Sequence, residues 1–80
     1  MDTTKQKIID ILKKYTFNDE VWEGYNDDYH VVKDLKINSA RMVDIILDIE
    51  DEFGVEITDE ELDQMNSVRD MLNLLKEKMH

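Results

Sequence analysis

The chain has 80 residues, ten Lys and Arg against twenty Asp and Glu, and a net charge of −10. That length suits one small domain, read as residues 1–80, with one modest core. The acidity disfavours nucleic acid and anionic lipid as partners, and the absence of cysteine excludes disulfides, thiolate metal sites and a thiol nucleophile. No apolar run approaches the ~20 residues that span a bilayer, and the N-terminus has no apolar signal region, so a cytoplasmic protein without stable membrane association is expected.

Apolar residues recur at helical spacing from the start. Ile8, Ile11, Leu12 and Tyr15 fall at i, i+3, i+4 and i+7, with Ile9 widening the stripe. Thr3 and Gln6 have the spacing of a capping box for this first helix. From about residue 16 to 37 no helical period holds, and more than twenty residues is long for an unstructured connection. Yet Phe17, Val21, Trp22, Tyr25, Tyr29, Val31, Val32 and Leu35 supply apolar surface to pack the segment down. A helical turn is expected at about Asp19–Glu23. A long packed loop would let the flanking helices run in a similar direction.

The second helix is expected from Asn38 or Ser39, with Met42, Ile45, Ile46, Ile49 and Phe53 on one side and Val43 and Leu47 flanking it. Gly54 supplies its stop. A short third helix opens at Thr58, with capping-box spacing to Glu61, and runs to about Met65. The fourth opens at Ser67, with Asp70 three residues on, and carries Val68, Met71, Leu72, Leu75 and Met79. The pattern predicts an all-α four-helix bundle with three main helices, a short third one and a long packed loop between the first two.

Ten carboxylates lie between Asp44 and Asp63 with no Lys or Arg among them. They form either a solvated face or a surface that speeds encounter with basic patches of partner proteins. A dedicated calcium loop does not fit. Read from Asp48, the sixth position that requires glycine is Phe53, and Gly54 comes one residue late. Hydrolytic chemistry fits no better, because a serine nucleophile needs a base and the two histidines are His30, in the loop, and His80, at the end. There is no Gly-x-Ser-x-Gly elbow and no phosphate-binding glycine loop. An enzyme is not expected.

Ser39 is the residue that stands out: a hydroxyl at a helix start, directly before the acidic stretch. By its type and place alone it is a helix cap or a handle that another protein modifies.

Several runs resemble the acyl carrier protein family. Val32-Lys33-Asp34-Leu35 resembles the Val-Glu-Asp-Leu that precedes that family's modified serine. Ser39, Val43 and Glu50-Asp51-Glu52-Phe53-Gly54-Val55-Glu56-Ile57 match its second helix and exit. Thr58-Asp59-Glu60-Glu61 matches the entry to the short third helix, and Ser67-Val68-Arg69-Asp70 the start of the last. The resemblance implies that Ser39 receives 4′-phosphopantetheine from coenzyme A through a phosphopantetheinyl transferase, with Asn38 as helix cap and site context. The thiol of that arm would carry acyl groups as thioesters in fatty-acid, lipid or secondary-metabolite synthesis.

Acyl-loading and acyl-processing enzymes with basic patches would dock on Arg41, Asp44, Leu47, Asp48, Glu50, Asp51 and Ile57. Ile45, Ile46, Ile49, Leu62, Leu72 and Leu75 are the candidates to line a space for the cargo. Asn38 and Ala40 stand where the family has aspartate and leucine, Arg41 where many members have an acid, and Lys36 in place of a common glycine. These departures point to a specialised carrier with a dedicated transferase or partner enzyme, and repulsion at this charge density favours a monomer. The alternative reading is an unmodified acidic helical interaction module on a degenerate carrier fold.

Overall fold

A computed structural model describes residues 3–79. Within them lie four α-helices: α1 (Thr3–Lys13), α2 (Met42–Phe53), α3 (Asp59–Asp63) and α4 (Val68–Lys78). No strand occurs among the described residues, where the extended backbone makes only one isolated bridge, between His30 and Ser67. The expected all-α architecture with a five-residue third helix is the one observed.

The core follows the helical periods. Ile8, Ile11 and Leu12 of α1, Ile45, Ile46 and Ile49 of α2, and Val68, Met71, Leu72 and Leu75 of α4 are buried together. α1 packs against both α2 and α4. Met65, just beyond α3, closes the cluster, and Leu62 packs on it from the side. Each helix thus removes one apolar stripe from water, the main source of its stability, because short helices are marginal alone. Met79 was expected on the α4 stripe. It lies past the end of the helix and stays 46% exposed.

Local signals set the boundaries. Gly54 ends α2 with φ +65°, in the left-handed region where a Cβ is unfavourable, and its N–H donates to the Glu50 carbonyl. Thr58 and Glu61 form the expected capping box of α3, each side chain accepting the other's backbone N–H. Ser67 and Asp70 do the same for α4. The capping box expected at Thr3 and Gln6 does not form. Thr3 is already the first helical residue, and the Gln6 amide donates forward to Asp10 Oδ1 at 2.9 Å.

The segment between α1 and α2 is packed, as its composition required. Val31, Leu35 and Ile37 are buried, and Val21, Trp22, Tyr25 and Tyr29 lean on the core from outside. The expected turn at Asp19–Glu23 is a 3-10 turn, Asp19–Trp22, capped by Asn18. Polar ties pin the remainder. Lys5 pairs with Asp27 at 2.9 Å, Arg69 with Asp28 at 2.6 Å, and the N–H of Val31 donates to the Asn66 carbonyl at 2.9 Å.

Two residues depart from a simple packed loop. Phe17 was expected to help bury the segment but is fully exposed, at 102%. Lys36 has φ +59°, a conformation that costs a residue with a Cβ roughly 1–2 kcal/mol. A glycine would adopt it freely, so the lysine holds a strained turn just ahead of Ser39.

Candidate functional site

The approach to Ser39 is built by one side chain. Asn38 is extended, with φ −61° and ψ 128°, and its Oδ1 accepts the Ala40 N–H at 2.9 Å. Its carbonyl accepts the Arg41 N–H at 2.8 Å. These bonds close a 3-10 turn, Ser39–Arg41, and the Ser39 carbonyl then accepts the Met42 N–H at the start of α2. A helix was expected from Asn38 or Ser39. The chain does turn there, but in the tighter 3-10 form, and α2 proper begins three residues later. Such turns are common at helix starts, where the first N–H groups lack intrahelical partners.

Ser39 is exposed on this turn, and among the described residues nothing hydrogen-bonds its hydroxyl. Asn38, not Ser39, caps this 3-10 turn, and α2 itself begins without a side-chain cap, so the hydroxyl has no capping duty. No base is arranged for it. His30 is otherwise engaged: its Nδ1 accepts the N–H groups of Val32 and Lys33, both at 3.1 Å. His80 lies outside the described residues. The arrangement leaves the hydroxyl free and exposed, and among the described residues no base is placed to activate it.

The acidic residues of α2 fall into two groups. Most have intramolecular work. Asp44 pairs with Arg41 at 3.2 Å, and Glu52 with Lys7 at 3.5 Å. Asp48 accepts the Tyr15 hydroxyl at 2.6 Å, tying the end of α1 to α2. Glu50 reaches past the helix end to accept the Ile57 N–H at 2.7 Å, which fixes the turn into α3. Asp51 alone of these is exposed and, among the described residues, without an ion pair.

The Tyr15–Asp48 bond has a consequence in alkali. Donation to the Asp48 carboxylate, then burial and the repulsion of nearby carboxylates, push the Tyr15 hydroxyl up to about 12. The folded state therefore holds this proton more tightly than the unfolded chain, whose tyrosine ionises near 10. The stability so gained is complete below the unfolded value and is lost as pH rises toward the folded one. Tyr15→Phe is expected to flatten the fall of stability between pH about 10 and 12, read by urea denaturation across that range. An unchanged slope would contradict the bond.

Two exposed apolar side chains rise from α2: Val43, 58% exposed, and Leu47, 56% exposed. With Ile46, Ile57 and Leu62 they line a cleft of about 170 Å³ between α2 and α3, rimmed by Glu50 and Asp59. A shallower groove continues over Leu47, Asp51, Val55 and Ile57. The structure thus brings together Leu47, Glu50, Asp51 and Ile57 of the expected docking set. Arg41, Asp44 and Asp48 do not line these clefts: Arg41 and Asp44 pair with each other, and Asp48 is turned to Tyr15. Val43 was missed as a site residue, although its flanking position, one turn from Leu47, was the signal for it. Of the residues expected to line a cargo space, Ile46 and Leu62 reach this cleft, whereas Ile45, Ile49 and Leu75 are fully buried core.

Among the described residues no helix is long and apolar enough to cross a membrane, and no three metal-ligating side chains are grouped as a metal site requires.

Comparison with known proteins bears on the same turn. The family model described as "Phosphopantetheine attachment site" matches residues 26–75. An acyl carrier protein of Rickettsia bellii is 34% identical over 77 residues, 96% of this chain and 93% of its own length. One from Coprothermobacter proteolyticus is 31% identical over 75 residues, 94% of this chain and 89% of its own. One from Petrotoga mobilis is 45% identical over 47 residues, 59% of this chain and 55% of its own. No solved structure matches the chain.

Proposed function

This chain belongs to the acyl carrier protein family, and from that premise we propose that it holds acyl groups as thioesters on an arm attached to Ser39. Members of the family are carriers and not enzymes, and their cofactor is covalently attached 4′-phosphopantetheine. The observation that carries the assignment to Ser39 is its exposed hydroxyl inside the matched span, free of capping duty because Asn38 performs it.

Attachment would proceed by attack of Ser39 Oγ on the pantetheine-bearing phosphorus of coenzyme A. The new O–P bond forms as the bond to the bridging pyrophosphate oxygen breaks. Adenosine bisphosphate leaves with the electron pair, and a base on the transferase takes the hydroxyl proton. The chain has no cysteine, so the arm would bring the sole reactive sulfur. Acyl groups would then pass between enzymes of fatty-acid, lipid or secondary-metabolite synthesis.

The docking face is the α2–α3 cleft with its acidic rim. Exposed Val43 and Leu47 supply the apolar anchor, and Asp51 and neighbouring carboxylates attract basic partners. Contacts of this kind form fast and weaken with salt, which suits a carrier that must release each partner. We place the protein in the cytoplasm as one monomeric carrier domain. Asn38, Ala40 and Arg41 around the serine suit a dedicated transferase or partner enzyme.

The test is the thioester itself. After loading with coenzyme A, magnesium and a broad-specificity transferase, the protein is given an acyl donor and its ligase. The acyl mass is expected to appear and to be released by neutral hydroxylamine. A loaded arm that accepts no acyl group, or an acyl group resistant to hydroxylamine, would contradict carriage.

A further inference from the structure

Beside Ser39, on the side away from the docking cleft, the end of α1 and the turn at Asn38 enclose a second cleft of about 430 Å³. It is lined by Lys14, Tyr15, Phe17, Asn38 and Arg41. That volume lies in the range of sites that hold small organic groups. Three of its features are left unused, wholly or in part, by the core and by the α2–α3 cleft.

Phe17 is the first. Trp22, Tyr15, Tyr25, Tyr29 and Phe53 all pack at least partly on the core, whereas the Phe17 ring is fully exposed. Lys14 is the second: among the described residues it forms no ion pair, in a chain with twice as many acids as bases. The third is Arg41, which gives one nitrogen to Asp44 at 3.2 Å and keeps its other N–H donors. Two carboxylates bond its lining residues, Asp44 to Arg41 and Asp48 to the Tyr15 hydroxyl, and no carboxylate is itself part of the lining. The cleft therefore offers two cations and one aromatic face immediately next to Asn38.

We propose that this cleft seats the first part of the phosphopantetheine arm, with Lys14 and Arg41 on its phosphodiester and the Phe17 ring against its dimethyl-bearing carbon. This rests on attachment at Ser39. The chemistry is complementary in order as well as in kind. The phosphodiester anion is bonded directly to the serine oxygen, and the paired methyl groups follow a few bonds later. Charge-assisted contacts to Lys14 and Arg41 fit the first, and an exposed apolar ring fits the second. A seated arm is held on the α1 side of Ser39, leaving the α2–α3 cleft open for a partner enzyme.

The experiment uses protein loaded with an arm labelled in carbon-13 and nitrogen-15. Intact mass first establishes loading. The seat predicts nuclear Overhauser contacts between the arm methyls and the Phe17 ring, and arm amides that are ordered relative to free pantetheine. Phe17→Ala should abolish those contacts and free the amides. Lys14→Ala should shift the phosphorus-31 resonance toward that of the free diester, and Lys76→Ala, on α4, should leave all of these signals in place. Circular dichroism checks that the exposed-site variants fold. A loaded protein whose arm amides are as mobile as free pantetheine, or whose methyls contact Val43, Leu47 or Ile57 instead, overturns the seat alone. Failure of any transferase in a broad panel to load the parent overturns the attachment and the seat with it.

Discussion

Shortening Ile49 to alanine is expected to cost about 2–5 kcal/mol of folding stability, the range for large-to-small changes in a closed core. Ile49 is fully buried in α2, one of three α2 side chains, with Ile45 and Ile46, that lie wholly in the core, while Met42 and Phe53 pack on it from its edge. A chain of this length has a total stability of roughly 4–12 kcal/mol, and self-repulsion at a net charge of −10 pulls toward the low end. The substitution therefore removes between about a sixth of the total and all of it. Urea denaturation followed by circular dichroism would show a lower midpoint with an unchanged slope. Val43→Ala, on the same helix but exposed, should stay within ~0.5 kcal/mol of the parent. Equal midpoints for the two variants would contradict the assignment of the core face.

The second large effect lies on the other side of α2. Truncating Val43 and Leu47 together to alanine is expected to weaken docking of partner enzymes by about 1–2 kcal/mol, a 5- to 30-fold loss. The two side chains sit one helical turn apart and line the same cleft, so their effects are not expected to add. Kinetics with the carrier as varied substrate would show KM rising with kcat largely kept, the pattern of lost uniform binding. Asp51→Asn should act differently. It removes an exposed charge, so it should slow association at low salt and do little at high salt. A double variant with an unchanged KM for every partner tested would remove the apolar anchor from the account.

The sequence announced the fold where local chemistry and periodicity agree. Gly54, Thr58 with Glu61 and Ser67 with Asp70 mark helix ends through bonds made within a few residues, and all three form as expected. The core stripes of α1, α2 and α4 were equally legible, because burial at a 3.6-residue period leaves its trace in composition. What escaped depends on which of several neighbours a side chain meets. Gln6 has the spacing of a capping residue, but Asp10, one turn on along the same helix face, takes its amide. Phe17 reads as a packing residue by type alone, and only the path of the loop shows that it faces solvent.

The site was legible to a similar degree. Ser39 and Asn38 were singled out, and the structure explains their division of labour: the asparagine caps and the serine is left free. Most of the docking residues were charged, with Leu47 and Ile57 beside them, whereas the structure engages Asp44, Asp48 and Glu50 of that set in bonds of their own. Spacing could not reveal that, because Tyr15 and Ile57 meet these acids only after folding. The departure at Lys36 was visible as a residue change, and its meaning, a left-handed turn held without glycine, needed the backbone.

The measurement that bears most directly on the central claim is the mass of the chain, and of its Ser39 peptide, after incubation with coenzyme A, magnesium and a broad panel of phosphopantetheinyl transferases. The parent is expected to gain one phosphopantetheine group, with the added mass on the peptide that contains Ser39, and Ser39→Ala is expected to gain none. Modification that persists in Ser39→Ala, or a parent that no transferase modifies, would contradict a carrier built on this serine.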